Sequence, residues 1–366
     1  MPEPNMIGAY GEWAAHICAR RPRLAQSDAR TRYRELLLQP ESGGVPDAAV
    51  QHHIEFDGLA IEHLTWQLPF GPPTEAYVLK PAGAIGRLPA VLALHDHGGN
   101  KYFGTRKIAR ISKDPHPLMV AHQDRYYGGV AWANQLAKRG YVVLVADAFT
   151  FGSRRVRVAD LPASITGGLA EQDPESPEEI ARYNAFASGH EHIMAKSLFS
   201  AGTTWPGVFV AEDQRALDYL CSRPDVDAAR VGCAGLSGGG LRTVYLTGAD
   251  PRIKTSVCAG MMTTWRDFLL NKSYTHTWMV YIPGLPRIID YPEIAGLNAP
   301  HPFLVLNNHE DQLFTVSEMQ SADRILSEVY NRAGAADRYR MSFHPGSHKF
   351  DLAMQKEAFA WFDRWI

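Results

Sequence analysis

A single serine stands among glycines in "CAGLSGGG", residues 233–240. Gly235-Leu236-Ser237-Gly238-Gly239 is the pattern G-x-S-x-G, set between an apolar run and a helical stretch. A nucleophile on a tight strand-to-helix turn needs small neighbours, because the chains around it approach closely. The turn exposes the hydroxyl above a sheet at a helix N-terminus, where free N–H groups favour developing negative charge. A free serine is a weak nucleophile. It needs a base, and the base needs a group to orient it. Those partners are expected in chain order, acid then histidine, each just past a later strand. "FLVLNNHEDQLF" offers Glu310 and Asp311; Asp311 is preferred because it stands deeper in the loop, with a helix start after it. "FHPGSHKF" offers His344, tied to its strand, and His348, beyond the Pro345-Gly346 turn. His348 is preferred, since a loop there can present it to Ser237. An oxyanion hole requires two preorganised N–H donors. The expected pair is the backbone of Gly238 and that of His97, with Gly98 as the next choice in the loop after "VLALHDHGG".

These groups need a scaffold, and the chain predicts one. Residues 10–38 read as an amphipathic helical region, broken by Gly43-Gly44 and Pro46. From 52 to 80 the period is two, in "LAIEHLTWQL" and "TEAYVLKP", which predicts antiparallel strands. Then short apolar runs alternate with helical stretches. The runs are "LPAVLAL" (88–94), "YVVLVAD" (141–147), "RVGCAG" (230–235), "IKTSVCAG" (253–260) and "HPFLVLNN" (301–308), with "RYRMSF" (338–343) as an alternating strand. Helices are expected at 130–139, 207–221, 315–333 and 351–366. Continuous apolar strands between helices predict an α/β architecture with a mostly parallel central sheet covered on both faces. Ligands of such sheets collect at the carboxyl ends of the strands. Stretches at about 98–128, 149–205 and 261–299 follow strand ends and break the alternation. Connections this long are usually functional, and here they are read as pocket and lid insertions.

Composition narrows the function class. The 366 residues are 45% hydrophobic and 21% charged, and Lys+Arg 37 against Asp+Glu 39 leaves a formal net charge of −2. There is no basic field to gather nucleic acid or an anionic membrane. Cys18, Cys221, Cys233 and Cys258 are scattered without a CxxC pair, which suits buried thiols in a reducing compartment. The first residues lack a basic stretch followed by an apolar core, so a cytoplasmic location is expected.

Other residues carry two readings. His95 and His97 flank Asp96, but side chains two apart on a strand end point to opposite faces, so no metal site is expected. In "GHEHIMAK" (189–196), His190, Glu191 and His192 read as a solvated loop or helix start. Arg154 either binds a substrate carboxylate or pairs with acidic lid residues. Trp205, Trp265, Trp278 and Tyr281 either line an acyl or sugar subsite or form lid core.

Taken with "LALHDHGGNKYFG", "VVLVADAFTFGSRR", "DQRALDYLCSRPDVDAARVGCAGLSGGG", "NAPHPFLVLNNHEDQLF" and "HPGSHKF", the chain resembles the α/β-hydrolase superfamily over roughly residues 75–366. More narrowly, it resembles the dienelactone-hydrolase-like and acetyl-xylan-esterase-like bacterial branch. Dienelactone hydrolases proper use a cysteine nucleophile; serine stands here. The resemblance implies an α/β-hydrolase fold, a triad of Ser237, His348 and Asp311, no cofactor, and hydrolysis of a carboxylic ester. The expected organisation is an N-terminal helical extension over 1–50 and one catalytic domain over 51–366. The expected substrate is a small-molecule or carbohydrate ester, with no nucleic-acid or membrane partner and homo-oligomerisation left open. Peptidase, thioesterase or acyltransferase chemistry on the same fold is the alternative, followed by a non-catalytic binding protein on a hydrolase scaffold.

Overall fold

The apolar runs fold as strands. They are β1 (Ala49–Phe56), β2 (Leu59–Trp66), β3 (Thr74–Pro81), β4 (Leu88–Leu94), β5 (Val142–Ala146), β6 (Val226–Leu236), β7 (Thr255–Ala259), β8 (Phe303–Asn308) and β9 (Tyr339–His344). This computed structural model describes residues 4–22, 24–169 and 175–366. Residues 1–3 and 23 of the expected extension, and 170–174 of the second insertion, lie outside the described residues. Among the described residues the strands form one sheet in the order β1-β2-β3-β5-β4-β6-β7-β8-β9. β1, β2, β3 and β5 pair antiparallel in succession. From β5 through β4 to β9 every pairing is parallel. The strand order reverses at β4, between β5 and β6, which is where a sheet of this kind opens a crevice.

The helices are α1 (Gly11–Ala19), α2 (Gln26–Leu37), α3 (Pro117–Tyr127), α4 (Trp132–Ala137), α5 (Ala163–Thr166), α6 (Pro177–Ser200), α7 (Trp205–Ser222), α8 (Gly238–Ala249), α9 (Tyr291–Gly296), α10 (Val316–Arg332) and α11 (Leu352–Trp365). They cover both faces, and β4 shows how. Its Val91 and Ala93 share a buried cluster with Trp132 and Leu136 of α4 and Phe359 and Phe362 of α11. Its Ala90, Leu92 and Leu94 share another with Leu217 and Leu220 of α7 and Leu246 of α8. The strand is therefore apolar at every position because both of its faces are covered. Each Leu or Val so buried contributes about 1.5–3 kcal/mol.

The helical region read over 10–38 is two helices. Pro22, which has no N–H to donate, stands in the gap between them. α2 is docked: the Tyr33 hydroxyl is buried and donates to the Tyr245 carbonyl of α8 at 2.8 Å, and Gln26 Nε2 donates to the Leu297 carbonyl at 2.8 Å. The first two insertions share an apolar cluster of their own, with Tyr102, Phe103, Met119, Val158, Ile180 and Tyr183. Among the described residues no helix is long and apolar enough to cross a membrane.

Candidate active site

β6 ends at Leu236 and α8 begins at Gly238, so Ser237 alone makes the turn, at φ 56° and ψ −118°. Positive φ is strained for any residue with a Cβ. Two bonds hold it there: Ser237 N–H donates to the Ala259 carbonyl of β7 at 2.9 Å, and Leu241 N–H donates to the Ser237 carbonyl at 2.8 Å. The glycines follow from close approach. A Cβ on Gly239 would stand 2.0 Å from the Leu94 carbonyl oxygen, and one on Gly235 would stand 2.5 Å from the same oxygen. Only bare backbone lets α8 sit this close to the end of β4. Gly239→Ala should therefore destabilise the protein by about 3 kcal/mol or more. Gly44→Ala, where an added Cβ meets nothing within 4 Å, should stay within about 0.5 kcal/mol of wild type in the same urea titration.

Past β8, Asp311 is buried, and its Oδ2 lies 2.6 Å from His348 Nδ1. Its Oδ1 accepts from Leu313 N–H at 3.0 Å, which fixes the carboxylate's orientation. The loop bearing His348 is tied down on both sides: Glu310 N–H donates to the Gly346 carbonyl at 3.2 Å, and Phe350 N–H donates to the Tyr126 carbonyl at 2.8 Å. The ring passes over Gly260 (φ 56°), where a Cβ would stand 2.9 Å from His348 Cε1. The competing residues lie elsewhere. His344 Nε2 pairs with Glu357 of α11 at 2.9 Å, and Glu310 is exposed.

Ser237 and His348 line one cavity of about 260 Å³, together with Asp96, His97, Gly98 and Gly238. Among the described residues no hydrogen bond joins Ser237 Oγ to His348; such bonds are often long before a substrate binds. A Cβ on Gly238 would stand 2.9 Å from His97 N, so the two backbone segments converge at one end of the cavity. Gly238 opens α8, and its N–H has no intrahelical acceptor.

The loop after β4 rests on buried polar groups. Asp96 accepts from the Tyr127 hydroxyl and lies 3.1 Å from His122 Nε2. Burial opposes its charge, but the neighbouring His122 and Lys107 and these hydrogen bonds hold its carboxyl well below the usual carboxylate range. Burial keeps the His95 imidazole neutral, far below its ordinary pKa. His97 Nδ1 accepts from Gly99 N–H at 3.1 Å, so the neutral ring carries its proton on Nε2, 3.4 Å from Glu191 Oε1. Glu191 also pairs with Lys101 Nζ at 2.6 Å. The stretch "GHEHIMAK" is thus neither loop nor helix start. It lies inside α6, with Glu191 buried against the loop after β4. Its charge is tolerated there because Lys101 and His97 meet it. Among the described residues no group of three or more His, Cys, Asp or Glu is arranged to hold a metal.

The third insertion supplies the facing wall, with Thr275, His276, Thr277, Met279 and Val280. His276 Nε2 donates to the Leu313 carbonyl at 3.0 Å, and burial pushes its pKa down to about 4. The expected substrate-binding residues are not brought to this cavity. Arg154 is buried, donates to the Phe70 and Pro72 carbonyls, and pairs with Glu212 at 2.5 Å. Trp205 and Trp265 have no exposed surface and belong to the core. Trp278 is half-exposed and packs edge-on against Phe199. Large rings carry much apolar area, and Trp205 and Trp265 bury it in the core they share with α8, β8 and α10 rather than in the cavity lining. Sequence reasoning misses Lys107, Glu191 and the wall residues Thr275, Met279 and Val280. Their residue types are ordinary, and only the fold brings them to the site.

No protein-family model matches the chain. A curated Bacillus subtilis (strain 168) protein, YtaP, provisionally named a hydrolase, is 28% identical over 309 residues, covering 84% of this chain and 88% of its own length. A provisionally assigned acetyl xylan esterase from Bacteroides fragilis superposes with a TM-score of 0.66 at 16% identity, covering 93% of this chain and 83% of that one. A glucuronoyl esterase from Solibacter usitatus gives a TM-score of 0.57 at 15% identity, with 91% of each chain covered. Strand order, elbow and superposition agree that this chain has the α/β-hydrolase fold.

Proposed function

We propose that the protein is a serine esterase that cleaves a carboxylic ester of a small molecule or carbohydrate. The observation that carries this reading is the His348–Asp311 pair, bonded at 2.6 Å, with His348 lining the same cavity as the strained Ser237. His348 Nε2 takes the Ser237 proton as Oγ attacks the ester carbonyl. The N–H groups of His97 and Gly238 receive the oxyanion. Asp311 keeps the His348 proton on Nδ1 and stabilises the imidazolium, which then protonates the leaving alcohol. Water, deprotonated by His348, cleaves the acyl-enzyme in reverse order.

The cavity supports a small acyl group. Its volume of about 260 Å³ lies just under the usual small-molecule range of about 300–1,000 Å³. The carbohydrate side rests on the esterase names of the structural neighbours. The test is turnover of matched acetyl, butyryl and aryl esters, a thioester, an anilide and an acetylated xylo-oligosaccharide. The acetyl esters should turn over fastest, and the anilide should not turn over. Preference for the thioester or the anilide would overturn the reading.

A further inference from the structure

Lys107 has no exposed surface, although lysine is among the side chains most rarely buried. Its Nζ donates to the carbonyls of Asp96 at 2.7 Å and His97 at 2.9 Å, and lies 4.6 Å from the centroid of the Phe151 ring. The Asp96 carbonyl and the His97 N–H belong to the same peptide group. That N–H is one of the two oxyanion donors of the esterase reading, and the role assigned to Lys107 rests on that reading.

We propose that Lys107 is the positioning residue of the oxyanion hole: its ammonium clamps and polarises the Asp96–His97 peptide so that the His97 N–H is aimed and strengthened as a donor. The physical basis is general. A charge-assisted hydrogen bond to a peptide oxygen draws electron density from the amide and makes its N–H a better donor. The second bond, to the His97 carbonyl, fixes the following peptide and hence the plane of the first. The ammonium stands behind the peptide, so negative charge growing on the substrate oxygen is met by the amide in front and a cation at its back. Neutral side chains of similar length could fill the space but would leave the Asp96 carbonyl to His95 Nδ1–H at 3.1 Å and the His97 carbonyl to Asn100 N–H at 3.0 Å, with no charged donor on either.

The charged groups facing Lys107 come from several elements. Asp96 and Asp147 favour its charged form; Arg242 of α8 and Lys101 oppose it. Burial is the largest influence and pushes the ammonium down to about 8. The charged form is therefore present below that pH and lost as pH rises through it. If the cation acts in catalysis, kcat must fall on that alkaline limb.

The test compares wild type, Lys107→Met and Lys107→Arg on p-nitrophenyl acetate from pH 6 to 10. It adds inhibition by a trifluoromethyl ketone, which forms an oxyanion on the serine, and by the product alcohol. Lys107→Met should lower kcat by roughly tenfold or more with KM within about twofold. Ketone affinity should fall in proportion to kcat, alcohol affinity should hold, and the alkaline limb near pH 8 should disappear. Lys107→Arg should recover part of kcat and move that limb to higher pH. A folded methionine variant with wild-type kcat, or one that keeps the limb while KM and alcohol affinity change, would overturn the proposal and leave Lys107 a packing residue. Should the methionine variant not fold, the arginine variant decides: an unmoved limb overturns the proposal. If wild type turns over no ester and resists a fluorophosphonate, the esterase reading fails, and this one with it. If wild type is active and both variants match it, only this one fails.

Discussion

Replacing Ser237 with alanine should lower kcat on the best acetyl ester by roughly 10⁶-fold, and removing His348 as well should lower it no further. In the proposed mechanism the serine forms the acyl-enzyme, and every proton the histidine moves belongs to making or breaking that intermediate. Once either is gone, the other has nothing to do, so their effects do not add. Binding should survive in all three variants, because the cavity wall comes from other elements, among them Thr275, Met279 and Val280. The measurement is steady-state kinetics on the two single variants and the double. Effects that multiply would mean that Ser237 and His348 act in separate steps.

Asp311→Asn should lower kcat by about 10⁴-fold while the protein stays folded. The bonds around Asp311 give the reason. Oδ1 is held by Leu313 N–H, so an asparagine keeps its oxygen there and turns its NH₂ toward His348. His348 Nδ1 must then accept, the ring proton moves to Nε2, and no lone pair remains there to take the Ser237 proton. Asparagine is nearly the same shape as aspartate, so circular dichroism and the unfolding midpoint report whether the loss is structural. Activity within about tenfold of wild type would show that Asp311 does not orient the base.

Much of this molecule was legible before folding because the informative signals are local. The run 88–94 is β4 to the residue, and the runs ending near 146, 236, 259 and 308 end where strands end. An apolar stretch buried on both faces is written in consecutive residues. The elbow was legible for the same reason, since a glycine's missing Cβ answers a contact only a few ångströms away. Sheet order was not, because nothing in β5 says that it lies between β3 and β4. β1 is largely exposed at the sheet edge, so its alternation was weak and it was not distinguished from β2. Lys107 shows the deeper limit. In the sequence it is one basic residue in "TRKIAR", and only the packing of its turn against the segment after β4 makes it a buried cation. Trp205 and Trp265 fail in the opposite direction. Their type suggested a subsite, but the fold packs both into the main core beside α8, β8 and α10.

The most direct measurement is fluorophosphonate labelling of the purified protein, with the adduct mapped by mass spectrometry. The expected result is one adduct on Ser237, absent from Ser237→Ala and lost or slowed by orders of magnitude in His348→Ala. No adduct on the folded wild type, an adduct on another residue, or labelling of Ser237 at an undiminished rate without His348 would contradict a serine activated by His348.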